Sequence, residues 1–553
     1  MLPSAAFATG RPAVAWRAPT FLALAVGLLY CINLDHLPHP DELYHVLAAQ
    51  GMVATGEPRI AEGLYTRTLL YTWLVARCFA LFGESLSVAR LPALLPMAAL
   101  VPVLFVWLHR VADARAAWLG AILFALSPFA VDIAQFSRFY ALQMLTLFVA
   151  AICTYAAMEP RPLPQRLAHG LGALFCAMFA VYLQPNSFLG LAGLGLWLAG
   201  VVLLPILVDR KVALRGKLIL VGGLSALGVL ALLALWAIGI LPELWSLYRT
   251  TPIFNQGTES QFWYYHAWYS LLYPSLWPAT GILALSAIAA RPRAGTFLTV
   301  VFAVAFLLSS FAAAKNLRYI AYAQPFLFAL WGIGLAAWWT PLEQFLRRLA
   351  QGLRAAVPYG WPAPQRIAGI LLAGGVGWLL LANPAWLRTV TVLADINVPP
   401  ELPRTNWPVA RDALEPWLAR ADVVITTEEL GALYFLGRYD VRYSPSKLGE
   451  LAPDQQHEFG IDHRTGRPVI ATPESVELLM DCYPSGLVVG PIEDWGKPYK
   501  ISDALAGIIT ARAHPIELPP RSRLFAYGWD RPADEPRPAA CAELPPIATA
   551  ILP

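Results

Sequence analysis

Residues 91–108 read LPALLPMAALVPVLFVWL, an uninterrupted apolar stretch that follows Arg90 and precedes His109 and Arg110. A helix needs about 20 apolar residues to cross a bilayer, so this stretch predicts a transmembrane helix. Residues 69–82 are shorter and interrupted by Arg77, which favours an interfacial or re-entrant helix. Ten further stretches predict spans: 18–34, 116–131, 139–157, 168–184, 187–208, 218–240, 271–289, 296–313, 320–339 and 366–382.

The composition of the whole chain agrees with a membrane protein. Of its 553 residues 58% are hydrophobic and 14% are charged, and the mean hydropathy is +0.54. Both values lie outside the range of soluble proteins and exclude an ordinary soluble enzyme. The net charge is only +4 and no run is dense in lysine or arginine, which argues against a nucleic-acid partner.

Charge divides the chain into two predicted domains. Residues 1–394 hold 25 basic and 13 acidic side chains, whereas residues 395–553 hold 15 and 23. Residues 422–443 and 468–490 each have a strand–helix–strand pattern. We therefore predict a mostly α fold, a polytopic bundle of about 11 (10–13) transmembrane helices with periplasmic juxtamembrane helices, followed by a C-terminal α/β soluble domain at 395–553.

The loops between the predicted spans indicate the orientation. With the N-terminus in the cytoplasm, the inner segments hold 16 basic residues, and the short outer connections hold only Arg138, Lys315 and Arg318. This matches the positive-inside rule and places the long loops 35–90 and 241–270 and the C-terminal domain outside. No A-x-A cleavage site follows the first span, so we expect it to remain. The predicted location is a bacterial inner membrane, with a periplasmic C-terminal domain.

The six cysteines indicate the compartment of the soluble domain. Cys482 and Cys541 lie in the polar part of the chain and could form a disulfide if that part is outside the cytoplasm. The other four lie in apolar stretches. Neither a CxxC pair nor a zinc-finger spacing is present, which excludes a zinc finger or a thioredoxin-like site.

The first outer loop carries the most distinctive polar sequence, HLPHPDELYH at 36–45. Pro40 suits the first turn of a helix and would place Asp41 and Glu42 near its positive end. Two carboxylates there suit general-base work on an acceptor hydroxyl or amine. Two alternatives remain: Glu42 or Asp41 with His45 could bind a divalent cation, or the acids could merely cap a solvated helix.

The remaining outer connections contain three cations and an aromatic run. Arg138, Lys315 and Arg318 could snorkel or, with Asp132 near Arg138, pair. Together, however, they suit an anionic lipid phosphate that reacts beside the carboxylates of the same face. The run QFWYYHAWY at 261–269, which includes His266, predicts either an interfacial aromatic belt or a surface that stacks on sugars.

These motifs resemble the GT-C glycosyltransferases, notably the dolichyl-phosphate-mannose protein mannosyltransferase and lipid A aminoarabinose transferase group. The resemblance covers roughly residues 18–340. The matching pieces occur in the same order: Pro-Asp41-Glu42, YTRTLLYTWL at 65–74, LFG at 81–83, ARLP at 89–92, Ser127-Pro128, RFYAL at 138–142, and Lys315-x-x-Arg318-Tyr319.

The resemblance implies an inverting membrane enzyme that takes a sugar from a polyprenyl-phosphate monosaccharide. It makes Asp41 the base with Glu42 beside it, and it places Arg138, Lys315 and Arg318 at the donor phosphate. Arg67 stands where relatives have a lysine before Pro-Pro-Leu, although Thr68-Leu69 follows here, and Gln143 stands where many relatives have an aspartate. The expected substrate-lining residues are Tyr44, Tyr65, Tyr140, Gln143, Tyr319 and His266.

Three functions follow from these patterns. The first is transfer of a sugar to an acceptor that could be lipid A, another lipid, a glycan or a protein, with membrane lipids as partners. No cofactor is predicted apart from the divalent ion considered above. The alternatives are a transporter or flippase for a lipid-linked or anionic solute, and a non-catalytic assembly protein. The sequence shows no internal repeat and almost no ionisable group within the predicted spans. Both observations argue against a transporter.

Overall fold

A computed structural model describes residues 16–209, 213–249, 261–356, 366–367, 369–372, 374–375, 384–394, 404–532, 538–545 and 547. The chain forms two compact units. One unit contains residues 1–33, 93–135 and 139–396, and the other contains 34–92, 136–138 and 397–553. The first outer loop therefore belongs to the same unit as the C-terminal region, a grouping that the sequence does not reveal.

The chain is mostly helical up to residue 394. The helices in order are α1 Arg17–Tyr30, α2 Pro40–Thr55, α3 Leu69–Phe82, α4 Leu86–Val111, α5 Ala114–Ala125, α6 Pro128–Ala134, α7 Tyr140–Ala157, α8 Leu163–Leu183, α9 Ser187–Val208, α10 Leu214–Ala237, α11 Ile240–Arg249, α12 Tyr264–Leu272, α13 Thr280–Ala290, α14 Pro292–Phe311, α15 Gln324–Ala356 and α16 Pro384–Leu393. The turn Leu317–Ala323, a 3₁₀ helix, leads into α15.

Within the described residues, seven helical segments are long and apolar enough to cross a membrane, and an eighth span is formed if α5 and α6 count as one bent segment. Helices α1, α3 and α13 are apolar but shorter. The polytopic helical architecture is thus confirmed. Most of the eleventh predicted span, 366–382, lies outside the described residues, as do 250–260 of the long loop 241–270.

Prolines explain where two predicted spans are not continuous helices. The stretch 116–131 is bent by 61° between α5 and α6, because Ser127 caps a new helix that begins at Pro128. The stretch 271–289 contains Pro274 and Pro278, and it separates into the end of α12 and α13. Proline lacks the N–H that helix continuation needs, so hydropathy alone overestimates these two spans.

The second unit combines outer helices with a mixed sheet. Helices α2 and α3 are joined through a short hairpin, β1 (Arg59–Ile60) and β2 (Gly63–Leu64). The N–H groups of Glu62 and Leu64 donate to the carbonyls of Thr465 and His463, and Arg467 pairs with Glu62 at 2.8 Å. These contacts attach the first outer loop to the C-terminal fold.

The C-terminal sheet has seven strands: β3 (Val423–Thr426), β4 (Val441–Tyr443), β5 (Gly460–Asp462), β6 (Arg467–Ile470), β7 (Ser485–Pro491), β8 (His514–Pro515) and β9 (Leu524–Asp530). Their order is β5-β6-β4-β3-β7-β9-β8. The central strands β6, β4, β3 and β7 are parallel, and the outer ones are antiparallel. Both predicted strand–helix–strand segments lie in this sheet.

Helices complete this domain: α17 (Arg411–Arg420), α18 (Glu429–Gly431), α19 (Pro445–Leu448), α20 (Pro473–Cys482) and α21 (Asp503–Arg512). Its core consists of strand residues such as Val423 and Val488 with Leu479 of α20 and Leu505 of α21. Cys482, at the end of α20, forms a disulfide with Cys541.

Candidate functional site

The first turn of α2 positions the two adjacent carboxylates. His39 is the N-cap, Pro40 occupies the first helical position, and the His39 Nδ1 atom accepts a hydrogen bond from the Asp41 N–H at 3.1 Å. Glu42 Oε1 accepts one from the His39 N–H at 2.8 Å. This reciprocal capping fixes the turn, and the two acids consequently lie on different sides of it.

Glu42 is buried, with 1% of its side chain exposed. Both of its oxygens accept hydrogen bonds from the Arg90 guanidinium, at 2.9 and 3.0 Å, and Oε2 also accepts from the Ser137 N–H at 2.9 Å. Arg90 in turn donates to the carbonyls of Leu34 and His36. The pair therefore joins three separate segments of the second unit.

The lowered pKa of Glu42 makes it a poor candidate for a general base. Burial alone would raise its pKa, but the charge and hydrogen bonds of Arg90 and the Ser137 N–H lower the pKa to about 2. A carboxylate that is ionised, saturated with hydrogen bonds and inaccessible is poorly suited to accept a proton. The arrangement thus favours a structural role for Glu42 over the catalytic or metal-binding role expected from the sequence.

Asp41 has the more accessible carboxylate. Its side chain is 30% exposed and lines a polar cavity of about 280 Å³. The buried Arg138 donates to the Asp41 backbone carbonyl at 2.9 Å and contacts the Tyr65 hydroxyl at 3.4 Å. Arg138 therefore holds the turn that carries Asp41, in addition to the charge it contributes there.

Two of the expected substrate-lining tyrosines lie beside this turn. Tyr44 stacks on Tyr65 with ring centroids 5.1 Å apart, and its hydroxyl donates to Glu429 at 3.0 Å. His45 is fully buried, and its Nδ1 atom lies 2.9 Å from Thr72 Oγ1. Burial and the charges of Arg138 and Arg67 hold the pKa of His45 well below its usual range, so its imidazole is neutral.

The geometry gives no support to a divalent cation at Glu42 and His45. The oxygens of Glu42 already bind Arg90 and backbone N–H groups. Among the described residues, histidine, cysteine, aspartate and glutamate side chains nowhere form a group of three or more that could hold a metal ion.

The other predicted cations lie in the first unit, except for the exposed Arg67, which lies in the second. Lys315 is 1% exposed. Its ammonium donates to the carbonyls of Ser309 at 3.1 Å and Ser310 at 2.6 Å, and also to that of Ala312. Burial lowers its pKa to about 8. Arg318 is partly exposed, and its guanidinium lies 6.0 Å from the centroid of the Tyr140 ring.

The remaining candidates are also in the first unit. Gln143 is buried and donates to the Ser187 hydroxyl at 2.9 Å, so it ties α7 to α9. His266 is exposed and accepts from Trp277 at 3.1 Å. Tyr319 is partly exposed in the turn before α15. Within each unit, then, the structure brings together Asp41, Tyr44, Tyr65 and Arg138, and separately Tyr140 and Arg318.

Sequence reasoning missed two sets of residues. Arg90 belongs to the ARLP motif, but the sequence does not reveal its partner Glu42, which lies 48 positions away. The polar run Thr426-Thr427-Glu428-Glu429 begins at the last residue of strand β3. Polar residues at the carboxyl end of a parallel strand commonly form binding sites, so this signal was available in the sequence.

The fold is similar to solved membrane-protein structures. ArnT from Cupriavidus metallidurans in the apo state is 17% identical over 93% of this chain and 97% of that chain, with a TM-score of 0.58. The same protein bound to undecaprenyl phosphate is 18% identical over 93% and 98%, with a TM-score of 0.57. An Archaeoglobus fulgidus oligosaccharyltransferase complex with Zn and sulfate is 14% identical over 93% and 74%, with a TM-score of 0.46. No protein-family model matches the sequence, and neither does a curated protein.

Proposed function

We propose that this chain, which has the GT-C fold, is a membrane glycosyltransferase that moves a sugar from a polyprenyl-phosphate monosaccharide to an acceptor. This proposal rests mainly on the environment of the two acids in the turn after the first span. There Asp41 is accessible and lines a polar cavity, while the adjacent Glu42 is committed to Arg90. Support for the donor class comes from ArnT, a protein of similar fold whose crystal structure contains undecaprenyl phosphate.

The proposed reaction needs one base and one stabilised leaving group. The acceptor oxygen attacks the anomeric carbon on the side opposite the phosphate, and a new C–O bond forms. The bond from the anomeric carbon to the phosphate oxygen breaks, and its electron pair leaves with the polyprenyl phosphate. The acceptor proton passes to the Asp41 carboxylate, and the sugar configuration is inverted. A positioned base of this kind contributes a factor of about 10²–10⁴.

The proposed reaction also needs cations that stabilise the leaving phosphate. A leaving phosphate dianion is stabilised by arginine, which offers several N–H donors in a fixed plane. Arg318 suits this role because it is partly exposed. Lys315 has its N–H groups directed to three carbonyls, so we assign the direct hydrogen bonds to the phosphate to Arg318 rather than to Lys315. Arg67, which is exposed, is a second candidate for the phosphate.

The reaction would occur on the extracytoplasmic face. The excess of basic residues in the inner segments supports this orientation, and it places the Asp41 turn and the C-terminal domain outside. The chain would accordingly be a multi-pass protein of a bacterial inner membrane, with membrane lipids around its spans.

The test is cleavage of the donor by the purified full-length protein. Radiolabelled polyprenyl-phosphate sugars of several kinds would be incubated in vesicles with lipids of the source membrane. We expect free polyprenyl phosphate and a labelled acceptor to appear together. Movement of intact donor across the vesicle bilayer without cleavage would contradict the proposal and indicate a transporter.

A further inference from the structure

The cavity beside Asp41 is built from the first turn of α2 and the C-terminal sheet, both within the second unit. Its volume is about 280 Å³, slightly below the roughly 300–1,000 Å³ of sites for drug-sized ligands. A head group about the size of one sugar ring would fill it. Its lining includes Asp41 of α2, Thr427 and Glu428 after β3, and two oppositely charged pairs.

The position of this cavity in the sheet is that of a ligand site. From β3 the chain runs through β4 to β6 on one side, and then returns to β7 on the other side. Open α/β sheets bind ligands outside the carboxyl ends of the strands where the strand order reverses in this way. The cavity is lined by residues 427–430, which follow β3, and by Pro491 and Asp494 at and beyond the end of β7.

The charges around the cavity are partly neutralised in pairs. Arg442 pairs with Glu429 at 2.6 Å, and Lys500 pairs with Asp494 at 3.3 Å. The lining also contains the carboxyl groups of Asp41 and Glu428. Because burial keeps Glu428 mostly protonated at neutral pH, three acidic side chains, Asp41, Glu429 and Asp494, face two basic ones, and this small excess of negative charge disfavours a phosphate or a carboxylate.

Two buried polar atoms of the lining have no hydrogen-bond partner among the described residues. They are the hydroxyl oxygen of Thr427, whose side chain is 2% exposed, and Nε of Arg442. A buried polar group without a hydrogen-bond partner destabilises the folded protein. A ligand that brings hydroxyl groups would satisfy such atoms, whereas an apolar ligand would leave them unmet.

We propose that this cavity is the acceptor site and that it binds a neutral, hydroxyl-bearing head group about the size of a sugar ring. This inference rests on the proposed function, and it specifies the acceptor class. A hydroxyl acceptor needs a base, and Asp41 lines the cavity. A phosphate acceptor already carries an ionised oxygen, needs no base, and would be repelled by the surrounding carboxylates. Thr427 and Glu428 would act as positioning residues for the hydroxyl groups.

The protonation of Glu428 agrees with this assignment. Burial, together with the charges of Glu429 and Asp494, raises its pKa to about 8. At neutral pH Glu428 is therefore mostly protonated, and its carboxyl group can donate a hydrogen bond to a ligand oxygen as well as accept one.

The test measures binding without any donor. Saturation-transfer NMR would be recorded on the full-length protein in nanodiscs with methyl α-glucoside and, separately, with glucose 1-phosphate. We expect a signal from methyl glucoside and none from glucose 1-phosphate. Thr427→Val, which removes a hydroxyl at nearly constant volume, should weaken the methyl glucoside signal at least fivefold. Glu474→Gln, at an exposed acid on α20, is the matched control and should not change it.

The outcomes separate this inference from the proposed function. Binding of glucose 1-phosphate instead of methyl glucoside, binding of neither, or binding unchanged by Thr427→Val would overturn the inference. Thermal unfolding of each variant checks that it folds. Donor cleavage without methyl glucoside binding would refute the acceptor site alone. Binding without any donor cleavage would leave a hydroxyl-binding cavity and refute the glycosyltransferase.

Discussion

Two neighbouring carboxylates in one helical turn have opposite environments. Asp41 is accessible and lines a cavity, whereas Glu42 is buried with Arg90. The difference arises because capping fixes the turn and consecutive helix positions point about 100° apart. Adjacent acids in a sequence therefore need not share a function, and substitution of each should affect a different property.

Glu42→Gln should destabilise the protein. Removing one partner of a buried ion pair typically costs roughly 3–5 kcal/mol, since the other charge stays buried. The folded-state pKa of Glu42 is lowered to about 2, so its stabilisation is present above the unfolded value near 4.5 and is lost as the pH falls through 2. Thermal unfolding in detergent should show a gap between wild type and variant at pH 7 that narrows below pH 4.5. An equal gap at pH 7 and at pH 2.5 would contradict this account.

Glu428→Gln should have the opposite pH dependence. Its folded-state pKa is raised to about 8, so proton binding favours the folded state and stability is lost as the pH rises from 4.5 through 8. The charged groups that face it are Glu429, Asp494 and Lys500, with Asp41 and Arg442 across the cavity. The variant should melt like wild type at pH 5 and at a higher temperature at pH 9. Coincident melting curves at pH 9 would refute the assignment.

At the scale of single elements, the end of α14 shows a cation used as a cap. The last carbonyls of a helix lack partners within it, and Lys315 satisfies those of Ser309 and Ser310 as well as the carbonyl of Ala312. Arg318, three residues later, is partly exposed. We therefore expect Lys315 to contribute mainly to stability and Arg318 mainly to donor binding, just as Glu42 and Asp41 are expected to have different roles.

Lys315→Gln and Arg318→Gln form a matched pair. We expect Lys315→Gln to lower the free energy of unfolding by roughly 1.5–3 kcal/mol, the usual value for a hydrogen bond to a charged group. Arg318→Gln should leave the melting temperature unchanged and raise the KM for the polyprenyl-phosphate donor. The pair would be measured by thermal unfolding and donor titration. A stable Lys315→Gln with a raised donor KM would assign the phosphate contact to Lys315 instead.

A helix or strand can be predicted from the sequence where a local pattern of residues determines it. Both strand–helix–strand segments have short apolar strand runs, the second also has a proline at the start of its helix α20, and both fold as predicted. The short strands β5 and β8 have three and two residues, too few for a periodic signal. The prolines that interrupt two predicted spans were visible, but hydropathy averages over them.

At the scale of the whole molecule, the sequence predicted a helical membrane region and a separate C-terminal sheet, but it did not predict the composition of the units. Residues 34–92 join 397–553 through contacts such as Arg467 with Glu62, which are 405 positions apart. No local sequence pattern predicts ion pairs between residues so far apart in the chain. For the same reason the sequence identified Asp41 but not the cavity that Thr427 and Glu428 line with it.

The proposed orientation makes the Cys482–Cys541 disulfide accessible only from outside the cell membrane. In a variant without the other four cysteines, a membrane-impermeant maleimide should label intact spheroplasts only after treatment with an impermeant reductant. A Cys482→Ser/Cys541→Ser variant gives the background. Labelling that requires permeabilised membranes would place the C-terminal domain in the cytoplasm.

Asp41 is the proposed base of a sugar transfer from a lipid phosphate. Single-turnover release of polyprenyl phosphate tests this role in wild type, in Asp41→Asn and in the control Asp35→Asn, which changes an exposed acid of the same outer segment. We predict equal rates for wild type and Asp35→Asn. Asp41→Asn should be about 10²–10⁴ times slower with an unchanged melting temperature. A fully active Asp41→Asn protein would contradict the account.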